Sequence, residues 1–433
     1  MSVTGTVLGI FFALVLSPFG AANLGFPAVI RRILRIVIQI LRSFPALILA
    51  LTATFLFGLG TFAGTFAITL YTFAIMAKLT YEDASAADVK AYQALRAMGV
   101  SKYVAYIHGI LPEIIPGFLT NALYLLETNV RHSSILGYVG AGGIGLLLNE
   151  KISWLEYDKV GTILLMLFLT VCVIEYFSRY LAALIRKERT IKKEQARLLL
   201  LFLAALFLIC TFTLSLPDFS RTSPQTLRNM FAGFLQPDWS FFFSAEKDGL
   251  GYLLLETVCI AFIGTVIGAI VSAPLAFLNT KRFVPAPVSF LFNLVIMVIR
   301  SVPFLVYGLI FIRVSGPGAF TGVLTLAVCS IGLLTKRFTE ALDALDPRPY
   351  HALLAMGVRP LPAICHSVLP QLKPVFTSII LYRFDVNIRE ASVLGLVGAG
   401  GIGAPLIFSM NQYAWEKAGA IMLGLILLVW VID

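Results

Sequence analysis

The chain repeats itself at a fixed distance. Arg42-Ser43-Phe44-Pro45 returns as Arg300-Ser301-Val302-Pro303, Ala97-Met98-Gly99-Val100 as Ala355-Met356-Gly357-Val358, and Leu111-Pro112 as Leu369-Pro370. VGAGGIG runs from Val139 to Gly145 and again from Val397 to Gly403. Each pair lies 258 positions apart, from 42 to 300 as from 145 to 403, so across this stretch neither copy has gained or lost a residue. Such self-similarity marks two copies of one structural unit.

Both copies are too apolar for a water-soluble core. Of the 433 residues 59% are hydrophobic and 13% charged, against about 45–50% and about 25% in ordinary globular chains. A membrane-spanning helix needs about 20 largely apolar residues. By that measure spans are predicted near 5–22, 36–58, 61–78, 110–128, 159–182, 198–216, 250–277, 288–312, 319–335, 367–386 and 417–433. The fold class predicted is therefore all-α, a polytopic bundle of about eleven spans. The formal charge of +10 is spread between these segments, which fits the positive-inside rule and not a nucleic-acid surface. Arg31, Arg32 and Arg35, the run from Arg186 to Arg197, Lys281 with Arg282, and the loops around 85–102 and 343–360 all fall on one side, the cytoplasmic one. The segment 217–249, with Trp239 and Phe241–Phe243, falls outside.

The alternation places Met1 outside with no span before it, and the repeat aligns Met1 near Cys259. The expected division is a first domain at 1–190, lacking its opening helix, and a second at 191–433 led by the extra helix 198–216. Copies of equal orientation imply a pseudo-two-fold axis along the membrane normal and a shared path. Gly5–Leu16 lacks the basic flank and cleavage site of a signal peptide. The five cysteines stand singly, as small packing residues, with no pairing or zinc spacing.

Two motifs recur. The polar stretch 79–109 contains Ala91-Tyr92-Gln93-Ala94-Leu95-Arg96-Ala97-Met98-Gly99, matched by Pro349-Tyr350-His351-Ala352-Leu353-Leu354-Ala355-Met356-Gly357. Each reads as a short amphipathic helix stopped by its glycine, with Pro112 or Pro370 opening the next span. A paired helix on the cytoplasmic face suits the docking of a partner better than a mere rest on lipid. The second motif is N-x-R-x-x-S-x-L-G-x-V-G-A-G-G-I-G, from Asn129 and from Asn387. GAGGIG also fits a dinucleotide fingerprint, but it lacks the flanking strand and lies at the outer side. Gly140, Gly142, Gly143 and Gly145, with Gly398, Gly400, Gly401 and Gly403, are instead expected to break the backbone and admit close helix approach. Asn129, Arg131, Asn387 and Arg389 are candidates to line a translocation path, the alternative being that each arginine pairs with Glu127 or Asp385. Lys78 and Lys336 read as interface anchors, and His108 and His366 as packing residues. No catalytic cluster, metal-ligand set or phosphate-binding GxxxxGK[ST] is present in the sequence, so the chain is not read as an enzyme and no cofactor is expected.

The first motif resembles the EAA loop of ABC importer permeases, the coupling helix that enters a groove of the ATPase subunit. That resemblance assigns ATPase coupling to Tyr92, Ala94, Gly99, Tyr350, Ala352 and Gly357. The family's leading glutamate is absent, with Tyr92 and Tyr350 in its region. The second motif resembles the phosphonate ABC transporter permease, two copies of which are here fused in tandem. The resemblance implies a permease subunit in a bacterial inner membrane, with ABC ATPase subunits at the cytoplasmic face. A periplasmic or lipid-anchored phosphonate-binding protein and membrane lipid are its other partners, and nucleic acid is not one. The alternative is an importer of the same architecture for another small solute such as an amino acid.

Overall fold

A computed structural model describes residues 1–185, 205–215, 217, 224–244, 246 and 249–432. Every regular element among them is helical. The contacts divide the chain into two compact units, Met1–Asn229 and Met230–Asp433. Seven described helices are long and apolar enough to span a membrane, or ten if each of three bent pairs is one span. They coincide with ten of the expected segments. Of the eleventh, 198–216, residues 198–204 and 216 lie outside the described residues, and its part at 205–212 is helical.

In the first unit α1 (Ser2–Gly20) lies along α4 (Thr61–Ala86). The sequence of α1 is inside-out relative to a soluble helix: Gly5, Gly9, Ala13 and Ser17 are buried, while Phe11 and Phe12 are exposed. In lipid, burial of apolar surface does not drive helices together, so small residues that permit close packing take over. A Cβ at Gly5 would lie 2.8 Å from Ile68, and one at Gly9 2.7 Å from Thr72.

The segment 36–58, read as one span, is two helices. α2 (Ala28–Ser43) and α3 (Ala46–Phe57) meet at a 97° bend. The cause is Pro45, which forces Phe44 out of the helical region, to φ −91° and ψ 128°. Downstream lie the short helices α5 (Lys90–Ala97) and α6 (Lys102–Gly109), then α7 (Leu111–Leu136), α8 (Ile144–Ser153) and α9 (Tyr157–Ile185). α6 and α7 form a second bent pair, at 69°.

The second unit repeats this order. A short helix, α10 (Pro224–Leu235), falls across the division; α11 (Leu250–Asn279), α12 (Ala286–Ser301), α13 (Phe304–Ser315), α14 (Ala319–Ala344) and α15 (Arg348–Ala355) follow. α16 (Leu369–Leu394), α17 (Gly403–Asn411) and α18 (Trp415–Ile432) complete it. Pro303 bends 288–312 by 85°, as Pro45 bends its counterpart.

One register differs from expectation. Gly264 and Gly268 of α11 meet Leu326 and Ser330, which are 258 positions beyond Ile68 and Thr72, yet the glycines themselves are 259 beyond Gly5 and Gly9. The extra residue lies in the linker: 21–27 joins α1 to α2, where 280–285 joins α11 to α12. In the first unit Leu24 of that linker is fully buried beneath α5. In the second unit a cavity of about 200 Å³, lined by Arg282, Phe283, Pro347, Tyr350 and His351 among others, lies beneath α15.

Candidate functional site

The short helices α5 and α15 are built alike. Each begins on an aspartate whose carboxylate accepts from a backbone amide: Lys90 N donates to Asp88 and Arg348 N to Asp346, both at 3.0 Å. The Asp88 carboxyl is held below the usual range by this amide and by the Lys90 ammonium. Each helix ends in a Schellman turn. Gly99 N donates to Arg96 O and Val100 N to Leu95 O; Gly357 N donates to Leu354 O and Val358 N to Leu353 O, all at 2.9–3.2 Å. Gly99 and Gly357 sit at φ 84° and 80°, where a side chain is strained.

Ala94, Gly99, Ala352 and Gly357 are exposed, and Met98 and Met356 are 69% and 70% exposed. These surfaces face outward from each unit. Tyr92 does not. It is 5% exposed, and its hydroxyl donates to Leu24 O at 2.6 Å. Burial pushes the Tyr92 pKa up, so the hydroxyl stays protonated as a donor. Tyr350 is half-buried, its ring edge-on to Phe283 with centroids 5.6 Å apart.

The second motif ends α7 and α16. Gly137–Val139 and Gly395–Val397 form a 3-10 turn, after which Gly140 and Gly398 adopt φ 79° and 83°. Gly142, Gly143, Gly400 and Gly401 also have positive φ. Gly145 and Gly403 serve another need: a Cβ there would lie 2.0 Å from Ser134 O or 2.2 Å from Ser392 O. The chain thus doubles back tightly, and Gly140 O accepts from Gly60 N at 3.0 Å, Gly398 O from Gly318 N at 2.9 Å.

Just before the break lie the polar candidates. Arg131 donates to Glu127 and Arg389 to Asp385, one turn earlier on the same helix. Asn129 and Asn387 are fully buried. Asn129 Nδ2 donates to Thr6 Oγ1 at 2.8 Å and Thr72 Oγ1 at 2.7 Å; Asn387 Nδ2 donates to Thr265 Oγ1 at 2.6 Å and Ser330 Oγ at 2.9 Å. Each asparagine therefore ties three helices of its own unit.

His108 and His366 are exposed and not packed as expected. Lys78 lies 3.8 Å from Glu82. Among the described residues no three His, Cys, Asp or Glu side chains form a metal-type cluster.

A family model described as "Binding-protein-dependent transport system inner membrane component" matches the chain twice, at residues 5–190 and 264–433. The chain belongs to that permease family. The permease is 27% identical over 441 residues to the phosphate-import permease protein PhnE of Mycolicibacterium smegmatis, covering 100% of this chain and 82% of that one. It is 36% identical over 181 residues to the phosphite transport system permease protein PtxC of Stutzerimonas stutzeri, covering 42% and 66%. Among solved structures, an amino acid ABC transporter with histidines is 20% identical with a TM-score of 0.37, covering 42% of this chain and 88% of that one.

One polar group of the permease escapes the repeat motifs altogether. Arg383 of α16 is 5% exposed and pairs with Glu390 at 2.7 Å. The signal was present in the sequence: a lone arginine inside the apolar segment 367–386, with Leu125 at the matching position of the first copy.

Proposed function

We propose that this permease is the membrane subunit of an ATP-driven importer for a phosphonate or a related phosphorus oxyanion such as phosphite or phosphate. The observation that carries the coupling is the pair of helices α5 and α15. Each is capped at both ends and exposes a surface around Ala94, Met98 and Gly99 or around Ala352, Met356 and Gly357. Each would enter a groove on one ATPase subunit, in a bacterial inner membrane with these loops on the cytoplasmic side. Tyr92, turned inward onto Leu24, would transmit the pull to the linker between α1 and α2, and Tyr350 onto Phe283 would do so in the second unit. ATP binding favours one conformation of the assembly and hydrolysis the other, which is how a ligand with unequal affinity for two states shifts them. A binding protein would deliver the anion at the outer face.

The substrate class rests on the full-length similarity to a phosphate-import permease together with the N-x-R element. Arg131 and Arg389, with Asn129 and Asn387, are assigned to the outer end of the path. In this reading the asparagines hold the helices in register, and each arginine, neutralised by its own acid, gives a polar edge beside the glycine break.

The test is uptake into proteoliposomes holding the permease, its ATPase and its binding protein. Labelled methylphosphonate, phosphite, phosphate, sulfate, histidine and methionine would be offered with ATP present or withheld. ATP-dependent accumulation of a phosphorus oxyanion is expected. Accumulation of an amino acid alone overturns the substrate class, and uptake indifferent to ATP overturns the coupling.

A further inference from the structure

The two copies differ most inside the second unit, on α16. Arg383 Nη2 donates to Glu390 Oε2 at 2.7 Å, and Nη1 reaches Oε1 at 3.5 Å. Arg383 Nε donates to Ser330 Oγ at 3.2 Å, the same hydroxyl that accepts from Asn387 Nδ2. The two charged side chains are 6% and 18% exposed. The matching positions in the first unit hold Leu125, His132, Thr72 and Asn129. The asparagine and the hydroxyl recur, but the charges do not. His132 instead lies edge-on to Tyr71, with ring centroids 5.2 Å apart.

An ion pair within a membrane span is costly to keep, and such groups are retained where an ion passes or binds. Packing alone does not require this one, since the first unit builds the same three-helix junction from Leu125 and His132. The chemistry of the pair is informative. A guanidinium offers a planar fork that suits two oxygens of a carboxylate or of a phosphorus oxyanion equally well. Here the Glu390 carboxylate fills that fork. Beside it, Asn387 Oδ1 is a buried acceptor with no hydrogen-bond partner among the described residues, as is Asn129 Oδ1 of the first unit, where Leu125 stands in place of the arginine. A singly protonated phosphonate or phosphite matches both groups: two oxygens that can take the place of the Glu390 carboxylate in the Arg383 fork, and one P–OH for Asn387 Oδ1.

We propose that Arg383 is the group that receives the oxyanion during transport, and that Glu390 occupies its fork until the anion displaces it. The inference rests on the phosphorus-oxyanion reading given above. Glu390, the more exposed of the two, is the member that yields its place. Because the first unit carries leucine and histidine at these positions, this receiver belongs to the second unit alone.

Two variants of the complete assembly test this. In R383L/E390H the second unit takes the first unit's own side chains, so the junction keeps a packing the fold already uses. In E390Q the competitor loses its charge and the fork is freed. The expected results are a KM for methylphosphonate raised about tenfold or more in the first, the worth of one charge-assisted pair, and lowered in the second. A purely structural role would shift KM in the same direction in both variants, or leave it unchanged in both, and either result overturns the proposal. The purified permease is also heated with methylphosphonate, phosphite or chloride at equal ionic strength. A melting shift specific to the phosphorus oxyanions is expected in the unmodified chain and absent from R383L/E390H. If the unmodified assembly transports none of these anions, the functional reading fails, and the melting comparison still decides whether Arg383 binds them.

Discussion

At the scale of single residues, each unit spends its polar groups on the end of one helix. Asn129 and Asn387 make two hydrogen bonds apiece to hydroxyls on other helices. Interhelical hydrogen bonds in membranes contribute on average about 0.6 kcal/mol each, so Asn387→Ala is expected to destabilise the protein by about 1–2 kcal/mol, read as a lowered thermal midpoint in detergent. A similar loss is expected for Asn129→Ala. The arginines behave differently. Arg131→Gln leaves the Glu127 carboxylate, 7% exposed, without its cation, at a cost of about 3–5 kcal/mol. Replacing both, as R131Q/E127Q, is expected to recover most of that loss. Equal destabilisation by the single and double variants would show that the loss does not come from an uncompensated carboxylate.

At the scale of elements, α5 and α15 each depend on single positions. Valine at Gly99 or Gly357 would place a β-branched side chain at positive φ, costing about 1–2 kcal/mol, and would loosen the Schellman stop. Reduced ATP-driven uptake is expected from either variant, with the chain still inserted. The cap at Asp88 adds a pH dependence. Its carboxyl titrates below the usual range in the folded protein, so the stabilisation of α5 is present at neutral pH and disappears as pH falls through that lowered value. Protease accessibility of 88–100 is expected to rise over this acid range in the unmodified chain, and to be insensitive to pH there in Asp88→Asn. The spans were legible because twenty apolar residues in a row leave few alternatives. The stops of α5 and α15 were legible from Gly99 and Gly357. The bends at Pro45 and Pro303 were not read, although a proline inside a predicted span carries that information. The inward turn of Tyr92 could not be read, because its acceptor on Leu24 lies 68 positions away. The one-residue slip of α1 against α11 escaped because the opening helix carries only a Gly-x-x-x-Gly pattern to set its register.

At the scale of the whole molecule, fusion of two copies bears on the composition of the proposed assembly. A purified transporter is expected to contain one copy of this chain and two ATPase subunits, measurable by native mass spectrometry. Two copies of the chain would show that each fused pair does not act as a complete membrane component. Fusion also lets the copies diverge, and the linkers beneath α5 and α15 have done so. In the first unit the longer linker drives Leu24 under α5, where Tyr92 clamps it. In the second the shorter linker leaves a cavity of about 200 Å³, and α15 buries none of its residues. Local opening costs less where fewer groups are buried, so backbone amides of 348–355 should exchange with deuterium faster than those of 90–97. In the proposed assembly, two ATPase subunits pulling on this chain would then work against levers of unequal compliance, and one stroke would reach the membrane before the other.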